Sequence, residues 1–196
     1  MDRSRVSELH FITHVNNMAS IARLGILSHQ RAAAVPHTSI ADEDVQSRRR
    51  SRRVPNGRAI HEYANVYFDA RNPMMRKRYK YRRELVVIRI NPTVLDAPGA
   101  VIADGNAAAG ITRFSVSPQG LQMLDETRVY AEWWTDPDIA TEKEKKRQRC
   151  AEVLIPDRIP PTFLTGCYVH DRQALQLCQQ QAPGLKAVVN PRVFFD

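Results

Sequence analysis

Apolar residues in this chain gather in short runs rather than long periodic stretches. The clearest is Leu85-Val86-Val87-Ile88-Arg89-Ile90, stopped by Asn91-Pro92, and it predicts a buried strand. Leu9-His10-Phe11-Ile12-Thr13, Val66-Tyr67-Phe68, residues 100–103, Glu152-Val153-Leu154-Ile155, Cys167-Tyr168-Val169 and residues 186–189 read as further strands. Helical patterns lie between them. Asn16 or Asn17 can cap a helix that carries Met18, Ile21 and Leu24, and Gly25 is placed to stop it. Residues 40–51 predict a helix with acids near its start and arginines near its end, as the macrodipole favours. Pro73 suits the first turn of another helix, Ser117-Pro118 opens one reaching to about 125, residues 136–151 form a charged one, and residues 171–181 the last. Residues 28–39 and 54–60 read as loops. The alternation is irregular, without a βαβ period or an internal repeat, so the pattern predicts one mixed α+β domain over residues 1–196.

Charge changes that picture. The net charge is +8 over 196 residues, with a pI near 9.8. Residues 48–83 hold thirteen Lys and Arg against two acids, Glu62 and Asp69, so this one segment outweighs the whole chain's excess. A local excess of this kind reads as a polyanion footprint, because each phosphate neutralised releases condensed counterions. Arginine in place of lysine favours forked contacts to phosphate, and Tyr79 and Tyr81 interleave with the charges as single-strand surfaces require. Arg48, Arg50, Arg53, Arg76 and Arg78 are the candidate nucleic-acid contacts of this segment, with Arg113 beyond it. The second basic run, residues 143–149, alternates with Glu142 and Glu144 and reads as a salt-bridged exposed helix.

Several function classes drop out. The chain has no Gly-rich phosphate loop and no G-x-S-x-G elbow. His10 and His14 sit on a strand and its exit, where they cannot chelate as a helical pair would, and no metal site is expected. Three cysteines without close pairing exclude a disulfide framework, and Cys150 reads as an ordinary helix residue. No apolar run can span a bilayer and no secretory leader opens the chain, so a cytoplasmic protein without membrane contact is expected. Polar residues embedded in apolar surroundings then stand out, above all Glu152 at the head of its strand, either a structural ion pair or a functional carboxylate.

The chain resembles the DarT-type toxins, ADP-ribosyltransferases that modify bases of single-stranded DNA. The resembling elements are Leu9-His10-Phe11-Ile12-Thr13-His14-Val15-Asn16-Asn17; Val45-Gln46-Ser47-Arg48-Arg49-Arg50; Ile60-His61-Glu62-Tyr63-Ala64-Asn65-Val66-Tyr67-Phe68-Asp69-Ala70-Arg71-Asn72-Pro73-Met74-Met75; Asp104-Gly105-Asn106-Ala107-Ala108-Ala109; and Ala151-Glu152-Val153-Leu154-Ile155-Pro156. They follow family order over nearly the whole chain. Better-known members carry Tyr-Val-Pro-Phe-Tyr-Phe and then Arg-Ser-Pro-Met; here Ala64 and Asn65 replace Val-Pro, and Asn72 replaces Ser.

The resemblance implies a compact ADP-ribosyltransferase fold of the PARP-like class, with two small sheets around an NAD cleft and NAD as co-substrate. His10 would bind the NAD ribose, with Phe11 and Thr13 beside it, and Tyr67 and Met74 would line the nicotinamide and ribose pocket. Glu152 would be the catalytic glutamate and Arg49 the family arginine, acting either as a base or as an orienting group. Residues 104–134 would carry the loops that present the base. The target would be thymidine or guanosine in single-stranded DNA, and the protein a monomeric toxin of a toxin–antitoxin or phage-defence pair. Its antitoxin would be a macrodomain or related hydrolase that removes ADP-ribose from DNA. An RNA or protein acceptor, or a non-catalytic nucleic-acid-binding module, are the alternatives.

Overall fold

The structure is a computed structural model that describes residues 1–196. Ten strands form in chain order: β1 Leu9–His14, β2 Ile26–Leu27, β3 Tyr63–Tyr67, β4 Leu85–Ile90, β5 Val101–Ala103, β6 Phe114–Val116, β7 Glu152–Pro156, β8 Arg158–Ile159, β9 Leu164–Val169 and β10 Ala187–Val189. Seven helices accompany them: α1 Met18–Leu24, α2 His29–Ala32, α3 Glu43–Arg50, α4 Pro73–Lys77, α5 Glu126–Val129, α6 Ile139–Arg149 and α7 Arg172–Gln181.

Eight strands make one sheet, in the order β10-β9-β4-β1-β3-β7-β5-β6, and β2 with β8 makes a two-stranded ribbon. This corrects the expectation of two small sheets, although its origin is visible. The sheet consists of two four-stranded halves, and β1 meets β3 at a single register pair, His10 opposite Tyr67. By contrast, β1 runs beside β4 along its full length, and β3 beside β7 along its own. Away from His10 and Tyr67 the two halves fork.

Burial explains the layering. Alternate residues of β4 point to opposite faces: Val86, Ile88 and Ile90 join the main core, while Leu85 and Val87 join a smaller cluster. The main core also takes Leu9, Val66, Val153 and Ile102 from other strands, and α1 and α7 cover it through Met18, Ile21, Ala174 and Cys178. On the other face the apolar residues split in two. Ile12, Ala70, Met75, Leu85, Val87 and Phe194 pack over one half, and Val54, Ile60, Tyr63, Val101, Ala103, Ala107 and Leu154 over the other. The gap between these clusters lies above the fork.

Local differences from the sequence reading have simple causes. Residues 28–39 contain a short helix, α2, because the Ser28 hydroxyl accepts from the Arg31 N–H and starts a turn. The helix expected from Ser117 is a 3₁₀ turn, Gln119–Met123, followed by α5, since the Asp125 carboxylate caps the N–H groups of Thr127 and Arg128. The charged helix α6 starts only at Ile139, where Asp138 caps it. Gly25 ends α1 as expected, in a positive-φ conformation (81°).

Candidate active site

Cross-strand register places four of the expected residues in relation to one another. His10 on β1 stands opposite Tyr67 on β3, and Tyr67 stands opposite Glu152 on β7. Directly paired residues on antiparallel strands point to the same face, so the three form one transverse polar row above the fork. Glu152 is completely buried and Arg49 is nearly so.

The arginine comes from α3. Asp42 caps this helix at its N-terminus and the run Arg48-Arg49-Arg50 ends it. Successive residues point about 100° apart around the axis, so only one arginine of three can face inward. It is Arg49: Arg48 and Arg50 are exposed. Nη1 of Arg49 donates to Oε1 of Glu152 at 3.0 Å and Nη2 donates to Oε2 at 2.9 Å. The Ala107 N–H, from the loop after β5, donates to Oε1 at 2.9 Å. Burial pulls the Arg49 guanidinium down, but the Glu152 charge and its hydrogen bonds outweigh it, and the net direction is up. In this paired state the Arg49 guanidinium is held in its protonated form.

A cavity of about 450 Å³ opens beside the row, a size that suits a small-molecule ligand. The fork supplies its walls, with Phe11, Ile12 and Thr13 from β1 and Tyr63, Asn65 and Tyr67 from β3. Helix α3 adds Val45, Gln46 and Arg49, and α4 adds Pro73, Met74 and Lys77. Burial, then the Glu152 carboxylate, push the Tyr67 phenol well above its usual range, which keeps it a hydroxyl donor at neutral pH. Cys150 also lines the cavity; burial first and Glu152 second push its thiol up to about 12, so it is no thiolate nucleophile.

His10 stands at the rung between β1 and β3. The Ala70 N–H donates to its Nδ1 at 3.2 Å, and its Nε2 lies 2.9 Å from Oε1 of Glu8. Both ring nitrogens are thereby engaged, and His10 anchors the floor of the fork without lining the cavity. Glu8 is held in turn by Nε of Arg89 (2.6 Å) and the Tyr168 hydroxyl (2.9 Å). Burial alone would raise the Glu8 carboxyl, but these partners bring it down to about 2. Phe11 and Thr13 alternate to the opposite face and reach the cavity only at the fork; the Thr13 hydroxyl accepts from Nδ2 of Asn17 at 3.0 Å.

The expected phosphate contacts divide into free and occupied groups. Arg48, Arg50, Arg53 and Arg76 are exposed, Arg53 donating to the Gly57 carbonyl and Arg76 lying over the Tyr79 ring. Arg78 is committed to the carbonyls of Ile40 and Ala41, both at 2.8 Å, and ties that wall of the cavity to α4. Arg113 pairs with Asp104 at 2.8 Å while its side chain stays 70% exposed. The second basic run does more than expected: α6 carries its ion pairs, but Lys143, Lys146 and Arg147 also line the cavity. Arg149 is buried, donating to Asp69 and to the carbonyls of Val129 and Ala131.

Sequence reasoning missed His29, His61 and Gln46. The His29 and His61 rings stack at the cavity wall, centroids 4.1 Å apart, and Nε2 of His61 lies 3.1 Å from Oε1 of Gln46. Burial, then the neighbouring His29, Arg49 and Arg50 charges, bring His61 down to about 4. Gln46 was findable, since it precedes Arg49 by three residues and shares its helix face. His29 gave no signal because α2 reads as loop.

The substitutions relative to better-known family members also acquire meaning. Asn72 caps α4, its Oδ1 accepting from the Met74 and Met75 N–H groups, a task serine performs equally well. Asn65 pairs with Leu154 in the β3–β7 ladder and places an amide on the cavity wall.

A family model described as DarT, ssDNA thymidine ADP-ribosyltransferase, matches residues 10–195. A DNA ADP-ribosyl transferase–DNA ADP-ribosyl glycohydrolase fusion protein of Thermosipho africanus is 29% identical over 199 residues, covering 96% of this chain and 47% of the relative. A DNA ADP-ribosyl transferase of Thermus sp. (strain 2.9) is 27% identical over 176 residues, covering 84% of this chain and 82% of the relative. The chain therefore spans about half the length of the fusion protein. Among solved structures, Thermosipho africanus DarTG in complex with ADP-ribose superposes with a TM-score of 0.82 at 25% identity, over 96% of this chain and 51% of that one. Thermus sp. 2.9 DarT in complex with ADP-ribosylated ssDNA superposes with a TM-score of 0.83 at 22% identity, over 96% of both chains.

Proposed function

Since the chain belongs to the DarT family of ssDNA thymidine ADP-ribosyltransferases, we propose that it transfers ADP-ribose from NAD to a nucleobase of single-stranded DNA. The observation that carries this reading is the transverse row with the buried Glu152 at its end, clamped by Arg49, where Arg49 and Tyr67 line a cavity between the two sheet halves. NAD, the co-substrate, would lie in that cleft with its nicotinamide ribose near Tyr67 and Met74.

The chemistry follows from those groups. The C1′–nitrogen bond to nicotinamide breaks and its electron pair leaves with the nicotinamide. Positive charge then develops on C1′ and the ring oxygen. A fixed carboxylate at Glu152 stabilises that charge and holds a ribose hydroxyl, and it needs no reorganisation because Arg49 and the Ala107 N–H already fix it. A base nitrogen then bonds to C1′ and its proton passes to water. Arg49 acts here as a positioning group, keeping the Glu152 carboxylate aimed through two hydrogen bonds, since its own proton is held more tightly than usual.

The base must leave any stack to reach the cleft, which costs least in a single strand. Arg48, Arg50, Arg53 and Arg76 are exposed cations for its phosphates. The family description favours thymidine over guanosine as the target. Residues 1–196 act as one monomeric catalytic unit in this reading, a toxin of the cytoplasm. No helix is long and apolar enough to cross a membrane. Because the Thermosipho relative is fused to a DNA ADP-ribosyl glycohydrolase, the counterpart of this chain is a hydrolase activity that strips ADP-ribose from DNA.

The test is incubation with NAD and single-stranded oligonucleotides that differ by one base. A mass gain of one ADP-ribose unit, confined to one base, is expected. Adducts on RNA or protein with none on any DNA would overturn the proposal.

A further inference from the structure

Trp133 is 68% exposed, although a large indole left in water costs transfer free energy that burial would recover. It is nonetheless held in place. The Arg71 guanidinium lies 5.6 Å from the Trp133 ring centroid and 4.5 Å from that of Phe195, and its Nη1 donates to the Glu132 carbonyl at 3.1 Å. Trp134 meets Phe195 edge-on at 5.8 Å, and Arg76 reaches the same Phe195 ring at 5.9 Å. Two cations and three aromatic rings thus form a braced surface around Trp133, and nothing in the fold covers the rest of the indole. Arg71 carries a further sign of an unmet partner. Its Nε is the one buried side-chain polar atom in the chain without a hydrogen bond.

The location narrows the choice of ligand. Helix α4 separates this surface from the cavity: Pro73, Met74 and Lys77 face the cavity, while Arg76 faces the aromatic rings. A strand with one base in the cavity can cross α4 and bring its neighbour to Trp133. Flat aromatic faces beside arginines suit unpaired bases joined by phosphates, because stacking accepts any base and the cations neutralise the backbone. A duplex offers no free base face there.

We propose that the open surface of Trp133, braced by Arg71 and Phe195, is a stacking subsite for an unpaired base flanking the target in single-stranded DNA, with Arg76 meeting the adjoining phosphate. This rests on the reading of the substrate as single-stranded DNA.

The experiment measures binding of a fluorescently labelled oligonucleotide by anisotropy, using Glu152→Gln protein so that nothing turns over. Adding Trp133→Ala should weaken binding roughly tenfold, the order expected for one lost base stack, and Trp133→Phe should restore most of it. Removing the flanking bases from the oligonucleotide should cost the Trp133 protein the same factor and the Trp133→Ala protein nothing further. Unchanged affinity on Trp133→Ala, or equal losses for single strand and duplex, would overturn the subsite. Wild-type protein with NAD serves as a separate arm. Absence of any DNA adduct there defeats the enzymatic reading whatever the anisotropy shows, whereas adducts together with unchanged Trp133→Ala binding defeat the subsite alone.

Discussion

Arg49 and Glu152 lie 103 residues apart in sequence and meet as a two-point ion pair, at 3.0 and 2.9 Å, with both side chains almost wholly out of water. A buried pair of this kind is costly to break from one side. Arg49→Ala leaves a buried carboxylate without its counter-charge, and a loss of about 3–5 kcal/mol is expected in urea unfolding. An unfolding midpoint equal to the parent's would show that the pair carries no such strain. Arg49→Lys keeps the charge but not the fork and should recover only part of the loss.

Glu152→Gln tests the reaction, and its urea midpoint is measured alongside because the variant leaves the buried Arg49 guanidinium without its counter-charge. The amide keeps the size of the side chain and one acceptor oxygen but removes the negative charge. Transfer rates measured by oligonucleotide mass shift should fall roughly 100- to 1000-fold, as when one preorganised electrostatic group is lost. A variant within a few-fold of the parent would remove Glu152 from the chemistry.

His61 gives the fold a defined acid sensitivity. The unfolded chain binds a proton at this residue near pH 6.5, whereas the folded chain does so only near 4. Between those values the unfolded state holds the extra proton, so stability is full above pH 6.5 and declines as pH falls towards 4. His61→Gln should flatten that limb when urea midpoints are compared from pH 7 to pH 4. A parental slope in the variant would assign the sensitivity elsewhere, to His29 first, since burial lowers it as well.

Nucleic-acid affinity should separate the free arginines from the committed one. Arg48→Ala and Arg50→Ala each remove an exposed cation. Each should reduce the slope of log affinity against log salt by about 0.7, the single-strand value for one phosphate. Arg113→Ala, whose guanidinium already pairs with Asp104, should change the slope less. Identical effects from all three would mean that the Asp104 pairing opens when DNA binds.

Gly25 is required twice over. Its φ is +81°, and a Cβ there would stand 2.0 Å from the Ile159 carbonyl oxygen, where β8 pairs with β2. Gly25→Ala should cost roughly 2–4 kcal/mol, seen as a lowered thermal midpoint. A midpoint within a degree of the parent's would mean that the α1 exit and the ribbon can move apart.

Much of this architecture is legible in the sequence because its signals are local. The apolar run 85–90, the acid-to-arginine gradient of α3, and Gly25 after Leu24 each declare an element through neighbouring residues. Glu152 stands out for the same reason, as a charge heading an apolar strand. The partners of these residues are not local. Nothing near His10 in sequence reveals that Ala70, sixty residues on, takes up its Nδ1. Nothing in Arg48-Arg49-Arg50 says which arginine turns inward, since that depends on where Asp42 starts the helix. The histidine stack gives no sequence signal because α2 is too short to show a period, and the pattern of α6 reads as solvent-facing because its ion pairs are real but fill only part of its surface.

The lone rung between His10 and Tyr67 has a bearing on how such a site can diversify. Residues on the β1 side of the cleft are secured by β4, and those on the Glu152 side by β3, β7 and β5. Neither wall depends on the other's ladder. A residue such as Asn65, which lines the cavity from β3, is held by the β7 ladder and not by β1. A change confined to one wall of the cleft therefore need not disturb the hydrogen-bond ladder that holds the other.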